Sequence, residues 1–210
     1  MKIGVYGGSF NPPHLGHVRA AQACKQALGL DRVLVIPASI PPHKQLTSSS
    51  ASPEERLALT RLAFENLPGF EVLNLEIRRE GKSYTVDTIR ELKAQYAHDE
   101  LFLMMGTDMF LSFHKWYKYR EIMKKCTLCV MSREDEDTVK ALRSYAFSTL
   151  HIYMPSNEAN GIIISPSSPL EISSTEIRQK ISAGEDVSDV LTKEAYEFIK
   201  ERGMYGYAKK

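Results

Sequence analysis

The sequence predicts an α/β fold, a parallel sheet wrapped by helices, and three observations carry that expectation. Short apolar, β-branched runs alternate with amphipathic helical stretches from one end of the chain to the other, the pattern of parallel strands joined by crossover helices. Several of those runs do not alternate apolar with polar residues, as expected of strands covered on both faces. At 210 residues and 43% hydrophobic, the chain has enough apolar side chains for one sizeable core.

Taken in order, MKIGVY begins a short apolar run at residue 2, of the length of a buried strand. GGSFNPPHLGH, Gly7 to His17, follows as a turn with two histidines. In LGHVRAAQACKQALGL, the spacing of Val18, Ala21, Cys24 and Leu28 predicts one face of a helix. VLVIP, ending at Pro37, reads as a second buried strand, and the Pro- and Ser-rich ASIPPHKQLTSSSAS after it reads as a functional loop. A helix start is then written plainly: Ser52 as N-cap, Pro53 in the first turn and Glu55 completing a capping box. Phe70 to Ile77 is strand-like, with a turn at Glu80-Gly81-Lys82. Val86, Ile89, Leu92 and Tyr96 mark the apolar face of a helix in SYTVDTIRELKAQY. LFLMMG at 101–106 is a third buried strand, FLSFHKWYKYREIM is aromatic and short-helical, and TLCVM at 127–131 is a fourth strand. Asp135 to Thr149 predicts a helix, HIYM and GIIIS predict further strands, and two helices close the chain, the last stopped by Gly203. No linker, repeat or low-complexity tract interrupts this order; SSSAS at 48–52 is too short to separate domains.

Charge and cysteine usage exclude several classes. Lys plus Arg total 27 against 26 for Asp plus Glu, a formal charge of +1, which argues against a protein that coats nucleic acid or an anionic membrane. No apolar run approaches the roughly 18 residues a membrane helix needs. The N-terminus reads as a strand rather than a signal peptide, so a cytoplasmic protein is expected. Three cysteines do not suggest a secreted disulfide framework. Cys126 and Cys129 form a CxxC, but on a strand they would point to opposite faces, and burial is the expected role.

The chemistry concentrates in two stretches. Gly7-Gly8 lacks the GxGxxG dinucleotide fingerprint. His14 and His17, three apart at a helix start, share a face, and phosphate contact, half a metal site and a surface pair all remain open from spacing alone. In ISSTEIR at 172–178, Ser173 and Glu176 form a capping box, Ser174 and Thr175 fall on the first turn, and Arg178 can reach back toward an anion held there. Alone this reads as an ordinary well-capped helix; two such helix N-termini in one α/β chain make a polyphosphate site a reasonable inference.

Together the two stretches resemble the HxGH nucleotidyltransferase superfamily, whose pattern is G-x-F-x-P-x-H-x-G-H followed late by S-x-T-x-x-R. Here these read Gly8-Ser9-Phe10-Asn11-Pro12-Pro13-His14-Leu15-Gly16-His17 and Ser173-Ser174-Thr175-Glu176-Ile177-Arg178. Pro41-Pro42-His43-Lys44, Ser83-Tyr84-Thr85-Val86-Asp87-Thr88 and Gly106-Thr107-Asp108 followed by Trp116 look like the bacterial nicotinate-nucleotide adenylyltransferase family, as does the stretch from Tyr196 to Gly206. Asn11 stands where that family often has Asp, and Arg133 is followed by Glu-Asp where Pro-Gly is frequent.

The resemblance implies a single Rossmann-like domain of nucleotidyltransferase type over residues 1–210, with the C-terminal helices at 173–203 packed as part of it. It implies an enzyme that joins nicotinate mononucleotide to the adenylyl group of ATP, giving deamido-NAD and pyrophosphate, with Mg²⁺ accompanying ATP. The implied catalytic groups are His14, His17, Lys44 and Arg178. ATP would be held by these histidines and Arg178 with Gly8, Ser9, Phe10, Gly106, Asp108, Ser173, Ser174 and Thr175. The mononucleotide would meet Lys44, Thr85, Trp116, Tyr117 and Arg133, the indole of Trp116 facing its cationic pyridine ring. No resident protein metal site, nucleic acid or membrane partner is implied, and self-association is left open. Phosphopantetheine adenylyltransferase, which shares both motifs, and a nucleotide-binding protein without turnover are the alternatives.

Overall fold

The computed structural model describes residues 1–42, 50–79, 81–132, 135–166 and 172–208. Apolar β-branched residues at the N-terminus form strand β1 (Lys2–Gly8), and the amphipathic stretch after the turn forms helix α1 (Leu15–Leu28). Next come β2 (Arg32–Pro37), α2 (Pro53–Phe64), β3 (Phe70–Val72), α3 (Leu75–Arg78) and α4 (Thr85–Gln95). β4 (Glu100–Gly106), α5 (Thr107–Leu111), α6 (Tyr119–Lys125), β5 (Thr127–Ser132) and α7 (Glu136–Leu150) follow. The chain closes with β6 (Glu158–Ala159), β7 (Ile162–Pro166), α8 (Ser174–Ser182) and α9 (Lys193–Arg202). Both expected capping boxes are present, Ser52 with Glu55 and Ser173 with Glu176. Gly203 caps α9 at φ 60°, a left-handed conformation that glycine adopts without steric cost.

The strands form one seven-stranded sheet in the order β3-β2-β1-β4-β5-β7-β6. β1 with β4, β4 with β5 and β5 with β7 pair in parallel, as crossover helices require, and β6 runs antiparallel to β7. The fold is therefore the expected α/β architecture with a mostly parallel sheet. Strand order reverses between β1 and β4, which makes their carboxyl ends the topological switch where open α/β sheets bind ligands.

The described residues gather in two compact units, one containing Met1–Gly7, Ala20–Leu34 and Tyr84–Pro169, the other Gly8–Arg19, Val35–Ser83 and Leu170–Lys210. In the first, Ile3, Val5, Leu103, Leu128 and Val130 of the strands, Ala21 and Cys24 of α1, and Ile89 and Leu92 of α4 are all buried. In the second, Leu59 of α2 shares a core with Ile177 and Ile181 of α8 and with Ala195 and Ile199 of α9.

Two expected strands are corrected. Phe70 to Ile77 stays extended only to Val72, and Asn74, a residue disfavoured inside strands, starts α3 instead. HIYM at 151–154 makes no ladder: His151 takes φ 60° as the cap of α7, and the Ile152 N–H bonds back to the Ala146 carbonyl at 2.9 Å. The pairing partner of β7 is β6, reached through Asn160 and Gly161 at φ 50° and 78°. Asn-Gly is a hairpin signal, legible in the sequence.

All three cysteines are free and buried, as expected. Cys126 caps α6 rather than lying on the strand. Cys129 of β5 brings its Sγ to 2.9 Å from that of Cys24 on α1, a contact that no spacing rule anticipates.

Candidate active site

The stretch from Gly8 to Pro13 is shaped by close packing. A Cβ on Gly8 would lie 3.0 Å from Cζ of Phe10, so no larger residue fits there without moving that ring. Phe10 holds a positive φ of 44°; the residue is 2% exposed, with its ring edge-on to His17 at 5.3 Å and to Phe64 at 6.0 Å.

His14 precedes the first residue of α1, and His17 stands in its first turn; their ring centroids are 3.8 Å apart. The His14 backbone N–H donates to Nδ1 of His17 at 3.2 Å. In a neutral imidazole this leaves the proton on Nε2, which makes that nitrogen a donor. His14 is 7% exposed, its Nδ1 has no hydrogen-bond partner among the described residues, and burial pulls its pKa down from 6.5 to about 4. It is therefore neutral at pH 7.

The late motif meets this stretch directly. Nη1 of Arg178 donates to the Asn11 carbonyl at 2.7 Å and to the Ser174 carbonyl at 3.2 Å, and Nη2 lies 3.4 Å from Oγ1 of Thr175. The Ser174 hydroxyl donates to the Pro12 carbonyl at 2.8 Å, joining residues 162 positions apart in sequence. The Ser173 hydroxyl is occupied in its capping box, where it accepts from the Glu176 N–H at 3.2 Å and donates to the Glu176 carboxylate at 2.7 Å. Arg178 still has N–H groups to offer, because a guanidinium carries five.

Gly8, Ser9, Phe10, His14, His17, Ser173, Ser174, Thr175 and Arg178 thus fall in one compact unit. Gly106, Thr85, Asp108, Trp116 and Tyr117 fall in the other. There Gly106 ends β4 and is the N-cap of α5, which places Asp108 exposed in the first turn. Thr85 opens α4; the preceding Tyr84 packs at a tilt against the exposed Tyr117, with ring centroids 4.9 Å apart. Trp116 is half-buried against Phe113 at 5.3 Å. Arg90 of α4 holds Glu121 of α6 through two hydrogen bonds of 2.7 and 2.6 Å, which fixes the two helices that flank these aromatics. Lys44 and Arg133 lie outside the described residues.

Sequence reasoning missed Arg56. It is fully buried on α2 and donates to the carbonyls of Ser9, Ala38, Ser39 and Ala51. The available signal was its spacing: Arg56 lies three, four and seven residues before Leu59, Thr60 and Ala63, on the buried face of its helix. Asn11 is also explained. Its Oδ1 accepts from the Ala51 N–H at 3.3 Å, a task that needs only an acceptor oxygen.

A parallel sheet with its order switch beside β1, and an HxGH turn bonded to a late, capped helix, define a nucleotidyltransferase. Residues 5–180 match the profile of the cytidylyltransferase-like family, the class this architecture serves. The chain is 35% identical to a Shewanella frigidimarina protein named "Probable nicotinate-nucleotide adenylyltransferase", over 98% of this chain and 100% of the relative. It is 35% identical to a Geobacter sulfurreducens protein of the same name, over 99% of each. A solved Plasmodium falciparum nicotinic acid mononucleotide adenylyltransferase in complex with NaAD shares the fold, with a TM-score of 0.72 and 17% identity over 100% of this chain and 99% of that one. The chain belongs to the nicotinate-nucleotide adenylyltransferase family. No helix among the described residues is long and apolar enough to cross a membrane.

Proposed function

We propose that this protein transfers the adenylyl group of ATP to nicotinate mononucleotide, releasing pyrophosphate and forming deamido-NAD. The observation that carries the reading is the meeting of the two motifs, with Arg178 on Asn11 at 2.7 Å and Ser174 on Pro12 at 2.8 Å. The family relationship supports the choice of acceptor.

The attacking group is the mononucleotide's 5′-phosphate, largely dianionic at pH 7 because its second pKa is about 6. It needs neither a general base nor a protein nucleophile, so attack on the α-phosphorus proceeds in line without a covalent enzyme intermediate. Catalysis then reduces to holding two polyanions and stabilising the charge that develops on the α-phosphate and on departing pyrophosphate. On this reading His17 donates from Nε2, neutral His14 contributes a second imidazole, and Arg178 offers its remaining N–H groups. The N-terminus of α8 at Ser173, Ser174 and Thr175 adds a positive dipole end. Gly8 and Ser9 line the phosphates with backbone. Phe10, Gly106 and Asp108 flank the adenosine, with Asp108 directed at the ribose hydroxyls. Trp116, Tyr117 and the start of α4 at Thr85 receive the pyridine ring and its carboxylate, and Lys44 and Arg133 receive its phosphate.

Among the described residues no three His, Cys, Asp or Glu side chains gather as a metal site. By the family relationship, Mg²⁺ would accompany ATP and neutralise charge on its phosphates. We read residues 1–210 as one nucleotidyltransferase domain of the cytoplasm. The core that α8 and α9 share with α2 supports counting the C-terminal helices in that domain.

The test is an assay of purified protein with Mg-ATP and each of three acceptors: nicotinate mononucleotide, its amide and phosphopantetheine. Deamido-NAD and pyrophosphate in equal amounts, with the nicotinate acceptor fastest, is the expected result. Turnover with phosphopantetheine alone, or ATP binding without turnover, would overturn the reading.

A further inference from the structure

We propose that Arg56 is a positioning residue for adenylyl transfer, its guanidinium fixing the turn at Ser9 against the chain at Ala38, Ser39 and Ala51. The proposal rests on the activity proposed above.

Arg56 is a charged side chain with 0% exposure, and among the described residues it makes no ion pair. A buried charge without a counter-charge is costly unless hydrogen bonds satisfy it. Here every bond goes to a main-chain carbonyl: Nη1 to Ser9 at 2.8 Å and to Ala38, Nη2 to Ser39 at 2.8 Å, and Nε to Ala51 at 3.3 Å. These carbonyls come from three separate stretches of chain, at positions where a strand has ended or a helix has not yet begun. An apolar side chain of equal volume would fill the space and leave four turn carbonyls unsatisfied. The planar fork, with donors in fixed directions, is what lets one side chain hold three segments. Lysine has no such geometry.

What Arg56 holds is the donor side of the proposed site. Ser9 follows Gly8 and precedes Phe10, whose φ of 44° must be held by its surroundings. Two further bonds tie the same stretches: Ala38 N–H to the Gly8 carbonyl at 2.9 Å and Ala51 N–H to Asn11 Oδ1 at 3.3 Å. Arg178 holds the Asn11 carbonyl from α8. The turn that leads to His14 is thus gripped by one arginine that the late motif announces and by a second that no motif announces. Burial lowers the Arg56 pKa, but a guanidinium remains charged at neutral pH.

The experiment compares wild type with R56K, R56Q and R56A by circular dichroism, melting, ATP affinity by calorimetry, and kcat and KM for each substrate. For folded R56K the expected result is a kcat lower by about 10²-fold, the scale on which a displacement of about 1 Å slows an enzyme. ATP affinity falls with it. In R56A, millimolar guanidinium restores activity where the same concentration of potassium chloride does not. Should R56A fail to fold, R56K and R56Q carry the comparison. Wild-type kcat, KM and ATP affinity in R56K, with only a lower melting temperature, would overturn the proposal and leave Arg56 a packing residue. Failure of wild type to turn over the mononucleotide would overturn the acceptor reading instead, and calorimetry with ATP alone would still read Arg56.

Discussion

The two nitrogens of His17 are assigned different tasks, and replacing them one at a time separates those tasks. Nδ1 accepts the His14 backbone N–H at 3.2 Å, a neutral hydrogen bond at a helix start worth about 1 kcal/mol. Nε2 carries the proton that the transition state would meet, and removing one such donor costs on the order of 10²–10³ in kcat. Asparagine places an acceptor near Nδ1 and nothing at Nε2; glutamine does the reverse. His17→Asn should therefore melt close to wild type while kcat falls by about 10²–10³. His17→Gln should lose about 1 kcal/mol, about 2–4 °C in Tm for a domain of this size, and keep more of its kcat. The assay is steady-state deamido-NAD formation beside calorimetric melting of the same preparations. A His17→Asn enzyme as active as wild type, or a His17→Gln enzyme less active than His17→Asn, would refute the assignment of the proton to Nε2.

Three further outcomes are expected. Because the folded pKa of His14 is about 4 against 6.5 when exposed, the unfolded chain binds more protons between those values, and stability must fall as pH drops through that window. The difference corresponds to about 3 kcal/mol at pH below 4, read as the loss on acidification of wild type relative to His14→Gln; parallel curves for the two proteins would contradict it. Trp116→Ala should raise KM for the mononucleotide by about tenfold or more while leaving KM for ATP within a factor of two, the loss of one ring–cation contact of roughly 1–2 kcal/mol. Equal changes in both KM values would make Trp116 a packing residue. Gly4→Ala would bring a Cβ within 2.8 Å of Met104 Sδ and 2.9 Å of Leu30 Cδ1, in the middle of the sheet. Overpacking of this kind costs about 1–3 kcal/mol, so urea unfolding should show a lower midpoint with an unchanged slope.

Much of the fold was legible because its signals are local. Capping boxes act within four residues, and Ser52 with Glu55 and Ser173 with Glu176 formed as read. Buried parallel strands show as apolar runs, and VLVIP, LFLMMG and TLCVM all became strands. The two failures have equally local causes. Phe70 to Ile77 is apolar enough for a strand but contains Asn74, and HIYM follows a helix whose cap turns the chain at His151. In each case the residue that stops the element overrides the apolar content of the stretch.

The sequence by itself determined the class of protein: the HxGH turn, the late S-x-T-x-x-R, and the helices and strands that frame them. Those depend on short-range spacing and on residue chemistry, which a linear chain displays. Only the tertiary structure decided what the groups are doing. It commits the Ser173 and Ser174 hydroxyls to capping and to the Pro12 carbonyl, buries the Phe10 ring, and turns His17 Nδ1 into an acceptor. It also makes Arg56, which belongs to no motif in PEERLALTRLAF, the buried clamp of three chain segments. The reason is physical: a donor's role is set by the acceptor it reaches, and those acceptors lie up to 167 residues away in sequence.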